Sequence, residues 1–198
     1  MKKKIIKQTP YGSVCIIWTR AEHSPKVIRV MLSKPALPAE RQASNLYPTA
    51  VSASCAEIDA VGVDMQRLLA GESVDFALHL VDLELCGRFQ KRVLQAVHEI
   101  TRGTVSTYRL IAAHLGNPNG ARAVGNALAN NPFPLIVPCH RAIRTDGKLG
   151  DYQGGSEMKR ALLEKECFAK LIIEKLFPQA LPCSSSIAVS TALPASVE

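Results

Sequence analysis

Cys139 and His140 are neighbours in the sequence, and their side chains are of the types that carry out nucleophilic catalysis. A free cysteine has a pKa of about 8.5, so little of it is thiolate at neutral pH, and a nearby base or positive charge raises that fraction. His140 could supply the base and Arg141 the positive charge. Adjacent side chains in extended chain point to opposite faces, so contact between thiol and imidazole requires a sharp turn or a bridging water.

An imidazole that acts as a base also needs an acceptor, normally a carboxylate, to orient it. Glu164 and Glu166 lie in the last predicted helix and are the candidates for this role. Asn131 precedes Pro132, and an asparagine there can brace the backbone of a turn through its side chain.

Three interpretations of Cys139 remain open from the residues alone. As metal ligands, Cys139 and His140 have the wrong spacing and lack a second pair. A cysteine hydrolase is chemically possible, but no signature of such a family is present. A structural thiol is the third interpretation, and it is expected for most of the six cysteines, which form no CxxC pair.

Composition and charge narrow the class of protein. The 198 residues are 47% apolar, which excludes a globally disordered chain. There are 24 Lys and Arg against 17 Asp and Glu, and residues 88–198 hold 14 of these bases and 8 of these acids. The second half therefore carries most of the positive charge, which favours a polyanionic partner there. A merely solvated basic face is the alternative.

The sequence predicts no membrane partner. No apolar run approaches the roughly 20 residues of a membrane span. The basic N-terminus has an apolar stretch that is interrupted by Lys7, Pro10 and Gly12, which is untypical of a signal peptide. We therefore expect a cytoplasmic protein, or a nuclear one if the source is eukaryotic.

The first part of the chain is predicted to be a small α/β unit. Strands are expected at Lys4–Thr19, Lys26–Leu32 and Val74–Leu80, and a helix at Ile58–Ala70. Residues 34–56 are rich in Pro, Ala and Ser, which favours a loop with little regular structure.

From Phe89 onward the pattern is mainly helical. The sequence predicts one helix from Phe89 that closes at Gly103, and then the other elements in order: helix Tyr108–Leu115, helix Ala121–Ala129, a short strand-like run Phe133–Val137, a hairpin or wing turn at Thr145–Lys148 and a long helix Ser156–Phe177. Tyr108–Leu115 and Ala121–Ala129 lie on either side of the turn-forming residues Gly116–Gly120, so this pair of helices fits a helix–turn–helix.

The second helix of this pair is unusually thin. Its small residues are Ala121, Ala123, Gly125, Ala127 and Ala129. The minor groove of DNA is only about 6 Å wide, and a thin helix can approach it where a bulky one cannot. Arg122 could then contact phosphate or enter the base stack. The alternative is close packing of this helix against a neighbour, with Arg122 solvated.

Taken together, these segments resemble the O6-alkylguanine-DNA alkyltransferases, also called methylated-DNA–protein-cysteine methyltransferases. The resemblance covers Phe89 to about Glu166. It is carried in order by Phe89-Gln90-x-x-Val93, Gly103-x-Val105, Tyr108, Gly116-Asn117-Pro118, Ala121-Arg122-Ala123-Val124-Gly125, Asn131-Pro132, Pro138-Cys139-His140-Arg141, Gly150-x-Tyr152-x-Gly154-Gly155 and Lys159-x-x-Leu162-Leu163-x-x-Glu166. The first 85 or so residues resemble the family only in arrangement.

The resemblance implies a role for each matching residue. Cys139 would accept an alkyl group irreversibly from O6 of guanine. His140 would act as the base through a bridging water, and Glu166 would orient it. Asn131 would hold the turn that carries the thiol. Tyr108 would donate a proton to the departing guanine and crowd the phosphate so that the nucleotide rotates out.

The resemblance also implies sites for DNA and for the base. Arg122 would fill the vacated base stack. The candidate DNA-binding residues are Arg122, Tyr108, Arg109, Asn117 and Thr145, and those of the substrate pocket are Pro134, Ala142, Tyr152 and Gln153. Ala142 stands where a larger aliphatic residue is common in the family, and Gln153 stands where a small polar residue is frequent. Either difference could change the size of the pocket.

The implied fold is α+β with two domains. Residues 1–81 would form a small ribonuclease H-like α/β domain, and residues 82–177 a mostly helical domain with a winged helix–turn–helix. Residues 178–198 are expected to be a disordered tail. The implied protein is a monomer that needs no cofactor and no metal and acts on double-stranded DNA containing O6-alkylguanine, with O4-alkylthymine as a second candidate lesion.

Three rival functions remain. A non-catalytic lesion-binding relative would typically lack the cysteine. A DNA-binding regulator would prefer one sequence regardless of alkylation. A thiol hydrolase would turn over ester or peptide substrates.

Overall fold

The computed structural model describes residues 1–20 and 24–166, and in this part of the chain it shows a mixed α/β fold. A four-stranded sheet comes from the first part of the chain. Its strands are β1 (Lys2–Ile6), β2 (Val14–Arg20), β3 (Pro25–Leu32) and β4 (Val51–Ser52), in the order β3-β2-β1-β4. The β1–β2 and β2–β3 pairs are antiparallel, and β1 pairs with β4 in parallel.

Strand β2 lies in the interior, which explains its continuous apolar run. Its side chains alternate between the two faces of the sheet. Val14, Ile16 and Trp18 join the large core that includes helix α2 (Ala56–Ala70), and Cys15 and Ile17 join a smaller cluster with helix α1 (Ala39–Leu46). A strand covered on both faces is apolar at every position rather than at every second one.

The remaining described helices belong to the second part of the chain. They are α3 (Arg88–His98), α4 (Tyr108–His114), α5 (Ala121–Ala129) and α6 (Ser156–Lys165). Thr107 caps α4 by accepting a hydrogen bond from the amide of Leu110. Two short strands, β5 (Ser106–Thr107) and β6 (Ala142–Ile143), pair in parallel next to α4.

The two parts of the chain share one apolar core. Its buried residues include Trp18 from the sheet, Leu94 from α3 and Phe133 from the segment before Cys139. The amide of Val30 in β3 donates a 2.8 Å hydrogen bond to the carbonyl of Pro132. The sheet therefore contacts the segment that leads to the cysteine. The expected boundary between residues 81 and 82 stays a prediction.

Several helices agree with their sequence predictions. The structure confirms α2, α3, α4 and α5, with bounds within two residues for α2, α4 and α5. The long helix expected at Ser156–Phe177 is present as α6, which ends at Lys165. Its predicted continuation and the tail at 178–198 lie outside the described residues.

Four other predictions were wrong. The single strand expected at Lys4–Thr19 is two strands, because the chain turns at Gly12, whose φ is +85°. The expected loop at 34–56 contains α1 and β4; Pro38 precedes α1, where a proline costs no hydrogen bond. The strand predicted at Val74–Leu80 is irregular chain and a 3₁₀ turn.

The fourth error concerns Phe133–Val137, which is a tight turn rather than a strand. Its apolar residues are all buried, and periodicity cannot distinguish a short buried strand from a buried turn. Of the described helices, none is long and apolar enough to span a membrane.

Candidate active site

The turn before Cys139 is held by the side chain of Asn131. Its Oδ1 accepts a hydrogen bond from the amide of Phe133 at 2.9 Å, and its Nδ2 donates to the carbonyl of Val137 at 3.3 Å. Asn131 is fully buried, so both bonds are shielded from water. This is the bracing that the sequence suggested for an asparagine before proline, and it leads the chain into a 3₁₀ turn at Cys139–Arg141.

The same turn contains a strained residue and is tied down from outside. Leu135 has a φ of +75°, a left-handed conformation that costs a branched residue about 1–3 kcal/mol. Such strain persists only when the surroundings hold it. Gln153 Nε2 donates to the carbonyl of Asn131, and Val30 binds the next carbonyl along the chain, that of Pro132.

The thiol of Cys139 is buried, with only 5% of the residue exposed. Burial raises its pKa above the ordinary value, while Asn131 and the charge of Lys159 act in the opposite direction. The resting group is therefore a neutral thiol, and the neighbours of Cys139 in sequence do not hold it as a thiolate.

His140 is fully buried and carries one hydrogen bond. Its Nε2 lies 3.0 Å from Oε1 of Glu166, while its Nδ1 is buried without a partner among the described residues. Burial lowers the pKa of the imidazole, and the hydrogen bond and charge of Glu166 only partly offset this. A neutral ring that donates from Nε2 leaves the lone pair of Nδ1 free to accept a proton.

Glu166 is the carboxylate that orients His140, whereas Glu164 is exposed. Burial would raise the pKa of Glu166, but hydrogen bonds from His140 and Arg141 outweigh it and lower the pKa to about 2. Arg141 donates from Nε to Oε2 at 2.9 Å and from Nη2 to Oε1 at 2.8 Å. The carboxylate is therefore charged and held at both oxygens.

Arg141 has a different role from the one its position in sequence suggested. Its guanidinium pairs with Glu166 and donates to the carbonyl of Ile100 at 2.5 Å rather than supplying charge to the thiol. The partner lies 25 residues away in the chain, so no local pattern indicates it.

Tyr108 and Lys159 form a second polar pair beside the cysteine. Burial, with the negative charges of a Cys139 thiolate and of Asp151, raises the pKa of Tyr108 to about 12, so its hydroxyl keeps its proton. Lys159 Nζ lies 3.5 Å from this hydroxyl and donates to the carbonyls of Ala142 and Leu149. Burial lowers the pKa of Lys159 to about 8.

Lys159 belongs to the site, although the sequence indicates it only as one position of the motif that ends at Glu166. The available signal was its position, since Met158, Lys159, Leu162 and Leu163 form the buried face of α6. A lysine among core positions is rare unless it is paired.

Gly150, with a φ of +70°, leaves room for the hydroxyl of Tyr108. A Cβ at this position would lie 2.6 Å from that hydroxyl.

A cavity of about 330 Å³ opens in front of Cys139. Tyr108, Cys139 and Tyr152 line it together with Arg122 and Gly125 of α5. The hydroxyl of Tyr152 is buried and, within the described chain, has no hydrogen-bond partner. The cavity thus joins the thiol to the exposed side of α5.

Three of the predicted pocket residues do not line this cavity. Pro134 is buried in the turn. Ala142 has no exposed surface, and its carbonyl binds Lys159. Gln153 points its amide at the backbone of Asn131. These residues can affect the cavity only by shifting the elements that surround it.

The residues predicted to contact DNA are all exposed except Tyr108, which is half-buried. Arg109, Asn117, Arg122 and Thr145 are exposed, and only Arg122 among these four lines the cavity. Arg144 also lines it, is exposed and pairs with Asp146 at 2.9 Å; the sequence reasoning missed it.

Within residues 1–20 and 24–166, no group of three or more His, Cys, Asp or Glu side chains is placed so that it could hold a metal ion.

Known proteins are similar to this chain in sequence and in fold. Residues 88–168 match the family described as 6-O-methylguanine DNA methyltransferase, DNA binding domain. The chain is 46% identical over 102 residues to a methylated-DNA–protein-cysteine methyltransferase of Methanothermobacter thermautotrophicus, and 48% identical over 103 residues to one of Mycobacterium leprae. Each match covers 52% of this chain, and 57% and 61% of the relative, respectively.

Solved structures match over more of the chain. The Mycobacterium tuberculosis OGT in complex with DNA is similar with a TM-score of 0.65 and 32% identity, over 84% of this chain and 92% of that one. The O6-methylguanine-DNA methyltransferase of Pyrococcus kodakaraensis gives a TM-score of 0.63 and 25% identity, over 84% and 98%. The sequence matches to curated relatives span only about three fifths of their length.

The protonation state of His140 is directly testable. We expect nitrogen-15 NMR to show a neutral ring with the proton on Nε2, and this state should persist as the pH falls through about 6.5, where a free histidine is half protonated. The reason is that burial lowers the pKa of this ring.

Glu166→Gln should weaken the preference for this tautomer, because an amide can donate as well as accept. Glu164→Gln, an exposed neighbour, serves as the matched control and should leave the spectrum unchanged. A ring that is protonated at neutral pH, or that carries its proton on Nδ1, would contradict this assignment.

Proposed function

The chain belongs to the 6-O-methylguanine-DNA methyltransferase family, and we propose that it repairs DNA by moving a methyl or small alkyl group from O6 of guanine to Cys139. The observation that carries this proposal is a buried cysteine that lines a cavity and is followed in the chain by a buried His140, which is bonded to the buried carboxylate of Glu166. The cavity opens towards a helix thin enough to approach DNA.

The proton leaves the thiol through His140. A water between Cys139 and Nδ1 of His140 can accept the thiol proton and pass its own to the ring, since Nδ1 is the unpartnered nitrogen. The resulting imidazolium is stabilised by Glu166, which is already charged. A raised thiol pKa and a lowered imidazole pKa favour the proton on sulfur at rest. Cys139 therefore loses its proton only as the alkyl transfer takes place, and not in the resting protein.

The alkyl transfer is a single displacement. The thiolate sulfur attacks the alkyl carbon, a sulfur–carbon bond forms and the bond between carbon and O6 breaks, and its electron pair goes to the guanine. Tyr108 donates the proton that neutralises the leaving guanine. Lys159 stabilises the phenolate until it regains a proton from the imidazolium through solvent. Overall, one proton moves from Cys139 to guanine, and Cys139 ends as a thioether that cannot react again.

The target base has to leave the duplex to reach the thiol. Because Cys139 is buried at the cavity, the O6 atom of a stacked guanine cannot contact it. We place α4 and α5 as the helix–turn–helix of a winged domain, with the turn at residues 144–148 as the wing. The exposed side of α5 carries Arg122, Ala123 and Asn126, and only the first of these is a long side chain. Arg122 would enter the stack where the base was.

The other parts of the proposal follow the family. Residues 1–81 would be a ribonuclease H-like domain and residues 82–177 the DNA-binding and transfer domain, in a monomer that needs no cofactor. Arg109, Asn117 and Thr145 would contact phosphates, which position a protein without reading sequence. Tyr152 would line the base pocket. A cytoplasmic or nuclear location is part of the same proposal.

Replacing the nucleophile should separate chemistry from binding. Cys139→Ala should abolish alkyl transfer from a duplex carrying O6-methylguanine while leaving the Kd for that duplex within about twofold, because the thiol is buried rather than displayed on the surface. Transfer is measured as loss of the lesion from the DNA. Cys86→Ala, at a half-buried cysteine outside the cavity, is the control and should react like the wild type. Lesion loss with Cys139→Ala would eliminate the mechanism.

Arg122 and Arg109 should differ in what they contribute. Arg122→Ala should lower the preference for lesion over intact duplex by roughly tenfold or more, because nothing then fills the stack from which the base departs. Arg109→Ala should weaken binding to both duplexes equally, as loss of a phosphate contact does. Titration of both duplexes at one salt concentration measures this. An equal loss for both duplexes with Arg122→Ala would rule out the stacking role.

A further inference from the structure

We propose that Arg102 is a positioning residue for the His140–Glu166 pair, because it ties the end of α6, which carries Glu166, to the end of α2. The inference rests on the proposed function, since it concerns the rate of the same transfer. Arg102 contacts neither the cavity nor the cysteine and acts only through Glu166.

The guanidinium of Arg102 is fixed by three backbone carbonyls. Its Nη2 donates to the carbonyls of Gly71 at 2.7 Å and Lys165 at 2.8 Å, and its Nη1 donates to that of Glu72 at 3.0 Å. Two of these carbonyls follow α2, and the third belongs to the residue immediately before Glu166. A planar fork of donors suits this arrangement, and a single ammonium group does not.

The contacts also satisfy groups that the helices leave open. The last carbonyls of a helix have no partner inside it. At the end of α6, the carbonyl of Lys165 accepts a hydrogen bond from Arg102. At the end of α2, the carbonyl of Leu69 accepts one from Lys165 Nζ at 2.7 Å. Arg102 also binds the two carbonyls just beyond α2, where Gly71 turns the chain with a φ of +108°. The two cations thus join the ends of α2 and α6.

Lys165 reinforces this joint in two further ways. Its side chain packs on Gly71, where a Cβ would lie 3.4 Å from Lys165 Cβ. Its ammonium group lies 5.3 Å from the centre of the Tyr11 ring. The backbone of Lys165 is therefore held through Arg102 and its side chain through α2.

The position of Glu166 explains why such a joint matters. Glu166 is the residue that follows the last turn of α6, and helix ends fray unless they are tied. Arg141 holds the two oxygens of the carboxylate, but it does not hold the backbone. Arg102 does, and its Nη1 also lies 3.9 Å from Oε1 of Glu166. A small displacement of an orienting group is enough to slow a positioned reaction.

The test uses the full chain and single-turnover kinetics with saturating O6-methylguanine duplex. We expect Arg102→Gln to lower the first-order rate constant for transfer by roughly tenfold without changing the Kd for the duplex. Arg102→Lys should be slowed to a similar extent, because it keeps the charge and loses the fork. Arg67→Gln is the matched control: Arg67 lies on α2, is half exposed and pairs only with Asp64 and Glu72 in the described chain, so wild-type kinetics are expected.

A second variant guards against loss of folding. Lys165→Met removes the bond to Leu69 from a partly exposed side chain and should give the same pattern, a slower rate constant with an unchanged Kd, at smaller size. NMR of His140 should show a weakened preference for the Nε2 proton in Arg102→Gln, a change that general destabilisation does not cause.

Wild-type rate constants for Arg102→Gln, or for Arg102→Lys, would overturn the positioning role. So would an Arg102→Gln chain that does not fold, if Lys165→Met then reacts at the wild-type rate. These outcomes differ from failure of the proposed function, in which the wild-type chain itself leaves the lesion in place.

Discussion

A charged carboxylate in the interior is the feature on which the rest of this site depends. Glu166 is buried, and a buried charge is tolerated only when it is paired and hydrogen-bonded. Arg141 meets this requirement with two bonds, which leaves His140 to bind as a neutral donor. Loss of one partner of such a pair costs about 3–5 kcal/mol, because the other charge stays buried without compensation. The fixed carboxylate therefore sets the tautomer of His140 and with it the nitrogen that can act as a base.

This arrangement gives a nucleophile that is protected until it is used. The thiol of Cys139 is buried and neutral, so it is poorly reactive towards solutes that do not enter the cavity. Tyr108 keeps its proton at neutral pH, and Lys159 lies beside it with a lowered pKa of about 8. In the proposed function the protein reacts once, so a thiol spent on the wrong electrophile could not be recovered. A neutral resting thiol reduces this loss.

Local patterns predicted the elements that are local in sequence. The bounds of α5 and the start of α4 follow from the turn signals between them, and Asn131 before a proline indicates a braced turn. The family resemblance supplied Glu166 as the partner of His140, which the residues alone left open between two glutamates. Local sequence patterns do not indicate long-range contacts. The hydrogen-bond partners of Arg141, Lys159 and Arg102 lie 10 to 63 residues away in the chain. The resemblance implies a pocket position for Gln153, but its amide binds the backbone carbonyl of Asn131, 22 residues away in the chain.

Cys139 itself is proposed to receive the alkyl group, and peptide mass spectrometry detects that product on the protein. The protein is mixed with duplex DNA carrying O6-methylguanine and digested with trypsin, which releases the peptide Ala123–Arg141. We expect this peptide to gain the mass of one CH₂, with the methyl group on Cys139, in a single burst equal to the amount of protein. An unmodified Cys139 in protein that binds the lesion duplex tightly would contradict it and would make the chain a protein that recognises damage without repairing it.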